Sequence, residues 1–206
     1  QVTPDAERTL NTFLGISAFL DPIDVDEELV ADSSIVYCEG YLWDTEPAKA
    51  AIRGAMSVAR EAGRQVSLTL SDGFCVERHR DEWLALIGDQ VDILFGNEDE
   101  LRALYQTDDL DEVIASLRTE VEIGAVTLGK QGSIIVAGDQ TIEVGAEPIE
   151  KVVDTTGAGD LYSSGFLFGL STGRPLAECG RLASMAASEV ISHVGARPQM
   201  PLSSLL

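Results

Sequence analysis

The sequence is poor in the residues that build disulfide frameworks and metal centres. Its 206 residues include three cysteines, at the widely spaced positions Cys38, Cys75 and Cys179, and two histidines, His79 and His193. An odd number of scattered cysteines indicates neither a disulfide framework nor a zinc site. With two imidazoles, a histidine-rich metal site is not expected. This cysteine usage fits a cytoplasmic location, which we predict.

Long apolar runs and basic residues are also scarce. No stretch is long and apolar enough to span a bilayer, and the first residues do not resemble a basic-then-apolar leader, so no membrane partner is expected. The chain has 14 Lys and Arg against 35 Asp and Glu, a formal net charge of −21. Such a surface repels phosphate backbones and argues against nucleic acid as a partner. A phosphorylated ligand would need local attraction from helix N-termini, a few arginines or Mg²⁺.

The sequence does contain a regular alternation of strand-like and helical segments. Apolar runs predict strands, and amphipathic stretches with cap and stop residues predict helices. The predicted strands are 34–40, 64–70, 90–97, 124–129, 133–138 and 140–145. The predicted helices are 46–63, 74–88, 98–106, 110–121, 159–173 and 175–193.

This order predicts the fold class. Continuous apolar strands alternating with helices indicate an α/β protein in three layers, α/β/α, with a mostly parallel central sheet. The pair Gly138-Asp139 is a hairpin signal and predicts late antiparallel strands at one edge. Without repeats or linkers, residues 1–206 are interpreted as a single domain. The chain starts QVTPDAERTL, without Met and as though inside an extended segment, so we expect an N-terminal portion to precede it.

Three motif matches are interpreted as coincidences. GAVTLGKQ, residues 124–131, nearly fits a phosphate-binding loop, but Gln131 stands where a Mg²⁺-binding hydroxyl is required. HRD, residues 79–81, lies in a helical pattern, and Leu86 occupies the place of the Asn that a protein kinase needs. GAGDLY starts like a dinucleotide fingerprint, but Tyr162 stands at the third glycine position.

The stretch DTTGAGD, residues 154–160, lies at a predicted strand-to-helix junction. Gly157 and Gly159 permit unusual backbone conformations and let amide N–H groups approach a ligand. If the helix begins near Ala158, its unpaired N–H groups and its dipole form an anion hole. Asp160, in the first turn, would stay ionised there and could act as a general base. The alternative is a capped helix with a glycine turn, which leaves the two carboxylates unexplained.

Two further segments end predicted strands. Asn97 ends an apolar strand, and Glu100 follows in the next helix, where it could hold Mg²⁺ through water. Taken alone, this is ordinary acidity at a helix start. VTLGKQGS places Thr127, Gly129 and Gly132 after another strand, and by itself it indicates a hairpin turn.

Together these segments resemble the ribokinase-like (pfkB) family of carbohydrate and nucleoside kinases. DTTGAGDLYSSGFLFGL is similar to the family's C-terminal signature, NEDE to its Asn-x-x-Glu element, VTLGKQGS to its nucleotide-binding strand and turn, and HVGARPQMP to its closing segment. Each match is weak alone, but their order and spacing agree, and the resemblance covers nearly the whole chain. It implies a ribokinase-like fold and an ATP-dependent phosphotransferase.

The resemblance also implies roles for the matched residues. Asp160 is the base that takes the proton of the acceptor hydroxyl, and Gly157, Ala158 and Gly159 stabilise the transferring phosphoryl group. Asn97 and Glu100 are implied to bind ATP and Mg²⁺, with Glu100 holding Mg²⁺ through water. Thr127, Gly129 and Gly132 are implied to border the nucleotide. Asp154 and Thr156, with backbone near His193 and Gly195, are implied to bind a monovalent cation such as K⁺.

The acceptor is less sharply indicated. VDILFGNEDE, PLAECGR and RTLNTFLG look more like the adenosine-kinase-like branch, which implies conversion of adenosine to AMP. In that branch an arginine at the position of Arg8 can reach the transferring phosphate, and a solvated strand residue is the equal alternative. A sugar kinase for ribose, fructose or a similar polyol, and a nucleotide-binding regulator without chemistry, remain open.

The sequence departs from the family at its N-terminal side. The family's Gly-Gly-x-x-x-Asn acceptor-binding motif and most of its lid are not found in this sequence. We therefore expect the domain to lack its N-terminal portion and most acceptor contacts to lie outside it. The expected partners are ATP and a nucleoside or sugar, and the expected assembly is a monomer or a homodimer.

Overall fold

The structure of the protein is a computed structural model that describes residues 1–6 and 8–205. The strands in these residues are β1 (Ile35–Glu39), β2 (Gln65–Thr69), β3 (Ile93–Asn97), β4 (Ile123–Thr127), β5 (Ser133–Ala137) and β6 (Gln140–Val144). The α-helices are α1 (Glu27–Asp32), α2 (Glu46–Glu61), α3 (Gly73–Gln90), α4 (Glu98–Tyr105), α5 (Leu110–Glu120), α6 (Ala158–Ser171) and α7 (Leu176–Ile191).

Every predicted strand and helix is present, with ends that differ by a few residues. The α-helix that we did not predict from the sequence is α1, because its six residues are too few for a hydrophobic period to be recognised. It has a local start signal all the same, because the Asp26 side chain accepts a hydrogen bond from the Leu29 amide at 3.0 Å.

The six strands form one sheet in the order β1-β2-β3-β4-β5-β6. The β1–β2 and β2–β3 pairs are parallel, with Ile35 opposite Gln65 and Ser67 opposite Ile93. Two residues, 138 and 139, join β5 to β6 at the end of the sheet. The prediction of a mostly parallel sheet with a late antiparallel hairpin is confirmed.

The chain divides into two compact units, which we describe separately. The central unit contains Phe13–Val126 and Val136–Gln140. The terminal unit contains Gln1–Thr12, Thr127–Ile135 and Thr141–Leu206.

The core of the central unit forms where apolar helix faces cover the strands. Helix α2 begins at a Thr45 cap and buries a stripe of small residues that includes Ala48, Ala51, Ala55 and Ala59, spaced three or four apart. This stripe lets α2 pack closely on β1 and β2. Two large aromatic side chains in this unit, Trp43 and Trp83, are fully buried with ring centroids 4.6 Å apart.

The terminal unit is built on the packing of α6 against α7. A Cβ atom added at Gly165 would lie 2.7 Å from the Leu182 carbonyl oxygen, so a larger residue at 165 would force the two helices apart. Gly180 gives α7 the same close approach to β5 and β6, where a Cβ atom would lie 2.6 Å from Ile135 and 2.7 Å from Val144. This packing fixes the position of the α6 N-terminus within the unit.

No helix within residues 1–6 and 8–205 is both long enough and apolar enough to cross a membrane.

Candidate active site

The start of α6 lacks a side-chain cap. The helix begins at Ala158, one residue before the predicted range of 159–173, and its N-cap residue is Gly157, in the left-handed conformation at φ +82°. An added Cβ atom at 157 would lie 3.0 Å from Ala196 Cβ and 3.2 Å from the Ala196 carbonyl oxygen. Both the backbone conformation and the space around it therefore require glycine at this position.

The amide N–H groups at this helix start point to a missing acceptor. Ala158 donates to Thr155 O at 3.2 Å. The N–H groups of Gly157, Gly159 and Asp160 have no hydrogen-bond acceptor among residues 1–6 and 8–205. Three free donors at the positive end of a 14-residue helix form a site for an anion.

Asp160 lies in the first turn of the same helix. Its side chain is exposed, and its carboxylate makes no hydrogen bond or ion pair within the part of the chain that the structure describes. A carboxylate without a structural partner is free to accept a proton from a bound molecule.

Asp154, by contrast, is a structural anion just before the helix. Its side chain is 2% exposed. Its Oδ1 accepts hydrogen bonds from Thr156 Oγ1 at 2.6 Å and from the Thr156 amide at 2.9 Å, and its Oδ2 accepts one from the Gly195 amide at 2.9 Å. The Thr156 hydroxyl, followed by the Gly195 and Thr156 amides, lowers the pKa of Asp154 to about 2, so it stays ionised.

Arg8 lies next to this loop. Its Nη1 donates to Thr155 Oγ1 at 3.3 Å, and the guanidinium adds to the lowering of the Asp154 pKa. Thr155 in turn donates through its hydroxyl to Ala6 O at 3.3 Å. The structure thus brings Arg8 to the residues that precede the anion hole.

The predicted nucleotide turn follows β4. The Leu128 amide donates to Gly132 O at 2.8 Å, and the Gly132 amide donates to Gly129 O at 3.0 Å, so the turn is held by its own backbone. Gly132 has φ +96°, and a Cβ atom there would lie 2.0 Å from Val144 O. The turn has no room for any residue but glycine at 132.

A cavity of about 470 Å³ joins this turn to the α6 start. Its lining includes Thr127, Gly129 and Gly132 at one side and Ala158 and Gly159 at the other. The structure therefore brings together, in one cavity of the terminal unit, residues that the sequence placed some 30 positions apart.

The sequence did not reveal the remaining walls of this cavity. They include the apolar residues Ile149, Val152, Ala187 and Ile191. Ser184 also lines it, but its hydroxyl accepts from the Glu147 amide at 2.8 Å and donates to Gly145 O at 3.2 Å. Such residues look like ordinary helix core and loop in sequence, and only the fold shows that they share a wall.

Asn97 and Glu100 belong to the central unit and form a reciprocal cap at the start of α4. Asn97 Oδ1 accepts from the Glu100 amide at 2.8 Å, and Glu100 Oε2 accepts from the Asn97 amide at 2.9 Å. Glu100 Oε1 accepts from Asn97 Nδ2 at 2.8 Å. Burial raises the pKa of Glu100, which is 7% exposed, although the Asn97 amide opposes the rise.

The donor set limits how Mg²⁺ can be held. In the described ranges, no three His, Cys, Asp or Glu side chains are grouped so that they could bind a metal directly. Both carboxylate oxygens of Glu100 already accept hydrogen bonds from Asn97. These residues fit a Mg²⁺ ion that keeps most of its waters and is bound chiefly by a ligand's phosphates.

Comparison with known proteins agrees with this geometry. The family model described as "pfkB family carbohydrate kinase" matches residues 1–202. A solved probable sugar kinase from Rhizobium etli CFN 42 is 47% identical over 99% of this chain and 62% of its own, with a TM-score of 0.97. A solved adenosine kinase from Sinorhizobium meliloti is 48% identical over 99% of this chain and 63% of its own, also with a TM-score of 0.97.

The curated relatives are matched over a shorter length. A nucleoside kinase from Methanothermobacter thermautotrophicus is 42% identical over 112 residues, which are 53% of this chain and 35% of that protein. The alignments with the first curated relatives span 32 to 44% of those proteins.

The chain belongs to the pfkB family of carbohydrate kinases. The ribokinase-like fold class is confirmed. The resemblance to the adenosine-kinase-like branch agrees with solved neighbours that include both an adenosine kinase and a sugar kinase.

Proposed function

We propose that this chain carries the nucleotide-binding and catalytic part of an ATP-dependent kinase that phosphorylates a hydroxyl group. The observation that carries the proposal is the uncapped start of α6. Three N–H groups and a carboxylate that have no partner in residues 1–6 and 8–205 lie there, beside a cavity of about 470 Å³. Phosphoryl transfer needs chiefly positioning and stabilisation of charge, and this arrangement can supply both.

Each residue at the α6 start has a distinct part in this mechanism. Asp160 accepts the proton of the acceptor hydroxyl as that oxygen bonds to the γ-phosphorus of ATP, while the bond from this phosphorus to the β–γ bridging oxygen breaks and ADP leaves. The N–H groups of Gly157, Gly159 and Asp160, together with the helix dipole, stabilise the negative charge on the transferring group. Arg8, held at Thr155 by a 3.3 Å hydrogen bond, adds positive charge on the same side.

ATP would occupy the cavity with its phosphates at Ala158 and Gly159. The apolar wall of Ile149, Val152 and Ile191 suits the flat face of a base, and the turn at Gly129 and Gly132 borders it. Bound Mg²⁺ would neutralise charge on the phosphates. The family resemblance supports Asn97 and Glu100 as the residues that bind Mg²⁺, with Glu100 acting through water. K⁺ would be held at Asp154, whose buried carboxylate accepts hydrogen bonds from Thr156 and Gly195.

For the acceptor we propose adenosine, which would make AMP and place the reaction in purine salvage. The adenosine-kinase-like motifs and the 48% identity to a named adenosine kinase support this choice. A sugar kinase is the second candidate, because a named probable sugar kinase is 47% identical over the same extent. A catalytically silent regulator is a third candidate, which is disfavoured because the Asp160 carboxylate makes no hydrogen bond or ion pair within the described ranges.

The test is a turnover assay on the complete encoded protein with MgATP and a panel of adenosine, ribose and fructose. We expect ADP formation that depends on adenosine. Turnover with ribose or fructose alone would reject adenosine and leave the kinase class intact. ATP binding without ADP formation from any member of the panel would favour the silent regulator.

Three further predictions from the sequence stay predictions. They are a single ribokinase-like domain over residues 1–206, a cytoplasmic location, and a monomer or homodimer.

A further inference from the structure

The buried carboxylate of Glu189 holds together the two ends of a loop that packs against the anion hole. Glu189 lies in the last turns of α7, with a side chain 8% exposed. Its Oε1 accepts hydrogen bonds from the Gln199 amide at 2.8 Å and the Met200 amide at 3.3 Å, and it lies 3.3 Å from His193 Nε2. We call residues 193–200 the closing loop. One carboxylate oxygen thus contacts both ends of this loop.

The middle of the closing loop touches the candidate active site at two points. The Gly195 amide donates to Asp154 Oδ2 at 2.9 Å. Ala196 packs so closely on Gly157 that an added Cβ atom there would meet it at 3.0 Å. Asp154 and Gly157 are the residues that flank the turn into α6. Movement of the closing loop would therefore move the backbone that presents the free amides.

The second oxygen of Glu189 argues against a purely stabilising role. Its Oε2 is buried and has no hydrogen-bond partner in the described part of the chain. A buried carboxylate oxygen without a partner is unfavourable for folding, and an observed defect of this kind calls for a separate explanation. The contacts at Oε1 offer that explanation, because they hold the closing loop, which contacts the residues at the start of α6.

We infer that Glu189 is a positioning residue for the phosphoryl transfer proposed above, on which this inference rests. It acts through the closing loop on Asp154 and Gly157 and touches neither substrate. Its removal should impair the alignment of the α6 amides in the transition state more than the binding of ATP.

The experiment compares Glu189→Ala with Glu189→Gln and with Glu178→Ala in the complete encoded protein. Gln keeps an acceptor for the loop amides. Glu178 is the control, because it lies on the same helix in an ion pair with Arg174 at 2.6 Å and contacts nothing in the closing loop. We expect Glu189→Ala to lower kcat about 10- to 100-fold with little change in KM for ATP. Glu189→Gln should recover most of that loss, and Glu178→Ala should match wild type.

Two further measurements separate positioning from loss of folding. Hydrogen exchange of the Gly195, Gln199 and Met200 amides should quicken in folded Glu189→Ala and not in Glu178→Ala. In a double-mutant cycle with Asp154→Asn, the two effects on kcat should be less than additive, because both changes release the same loop.

The inference and the proposed function fail in different ways. An inactive wild-type enzyme would overturn the function, while the exchange data would still decide whether Glu189 closes the loop. An active wild type with equal kcat in Glu189→Ala and Glu178→Ala would overturn the inference alone. So would unchanged exchange at Gly195, or a kcat loss fully explained by the unfolded fraction.

Discussion

The N-termini of α4 and α6 differ in how their amide groups are satisfied. Both helices have acidic residues in the first turn, Glu98, Asp99 and Glu100 in α4 and Asp160 in α6. At α4 the Asn97 side chain caps the helix, and Glu100 returns a bond to the Asn97 amide. At α6 the cap is Gly157, which has no side chain, and three N–H groups have no acceptor in residues 1–6 and 8–205.

This difference separates a structural helix start from a binding one. In α4 Glu100 accepts hydrogen bonds within the cap, whereas in α6 Asp160 and three amides have no partner in the described ranges and can bind a ligand. First-turn acidity is therefore uninformative alone, and α6 differs from α4 in the three amides at its start that have no acceptor in residues 1–6 and 8–205. The predictions below test this contrast.

The largest effect is expected at Asp160. Asp160→Asn should lower kcat about 10³-fold, because it removes the proposed base. ATP affinity and the melting temperature should stay near wild type, since the carboxylate has no partner within the described ranges. Steady-state kinetics, calorimetry and thermal melting measure the three quantities. Asp139→Asn, an exposed carboxylate in the β5–β6 turn, is the control. Near-normal turnover of Asp160→Asn would reject the base.

A smaller effect on stability is expected at Gly157. Gly157→Ala should lower the free energy of unfolding by about 2 to 3 kcal/mol, because φ is +82° and the new methyl group would press on Ala196. Gly173→Ala is the matched control at the other end of α6, with φ +72° and no atom within 4 Å of an added Cβ. It should cost about 1 kcal/mol. If urea unfolding gave the same loss of stability for Gly157→Ala and Gly173→Ala, contact with Ala196 would contribute nothing.

The cap of α4 should contribute about as much to the free energy of unfolding as ordinary helix caps do. Asn97→Ala should lower the free energy of unfolding by about 1 kcal/mol or somewhat more, because it removes the cap and the side-chain amide that donates to Oε1 of the buried Glu100. Thr45→Ala, at the start of α2, removes a single longer bond of 3.4 Å and should cost less. The same urea series measures both, and the reverse order would contradict the importance of the reciprocal cap.

The smallest expected effects are those of Asp154 and Glu100 on the stability of the fold, which depend on pH in opposite directions. Asp154 has a lowered pKa of about 2 when folded, so its contribution to stability is present above its ordinary value of 3.8 and is lost as pH falls towards 2. Glu100 has a raised pKa, so its contribution declines as pH rises above its ordinary value of 4.5.

Unfolding measured across this acid range separates the two groups. Asp154→Asn should flatten the rise of stability with pH between 2 and 3.8, and Glu100→Gln should flatten the decline above 4.5. If both variants changed the dependence of stability on pH in the same direction, the opposite pKa shifts of Asp154 and Glu100 would be wrong.

Much of this fold could be predicted from the sequence, because its cues are local. Apolar runs and the Gly138-Asp139 turn specify the strands and the hairpin without reference to distant residues. Short α1 was missed because six residues give no readable period. The start of α6 was located to within one residue, since two glycines beside acidic and hydroxyl residues form a local signal.

The cavity wall and the closing loop could not be predicted in the same way. Ile149 and Ile191 are apolar residues like many others until the fold places them beside Gly129 and Gly159. Glu189 follows the pattern of a polar helix position, and nothing local indicates that its carboxylate reaches residues 199 and 200. Such contacts depend on tertiary packing.

The most direct test of the central claim is an amide NMR titration of the ¹⁵N-labelled protein with MgATP and, separately, with adenosine. If the start of α6 is the phosphate site, MgATP shifts the resonances of Gly157, Gly159 and Asp160, whereas adenosine, which has no phosphate, leaves those of Gly157 and Gly159 in place. If MgATP bound, as judged by other resonances, while these three stayed unchanged, the start of α6 would not be the phosphate site.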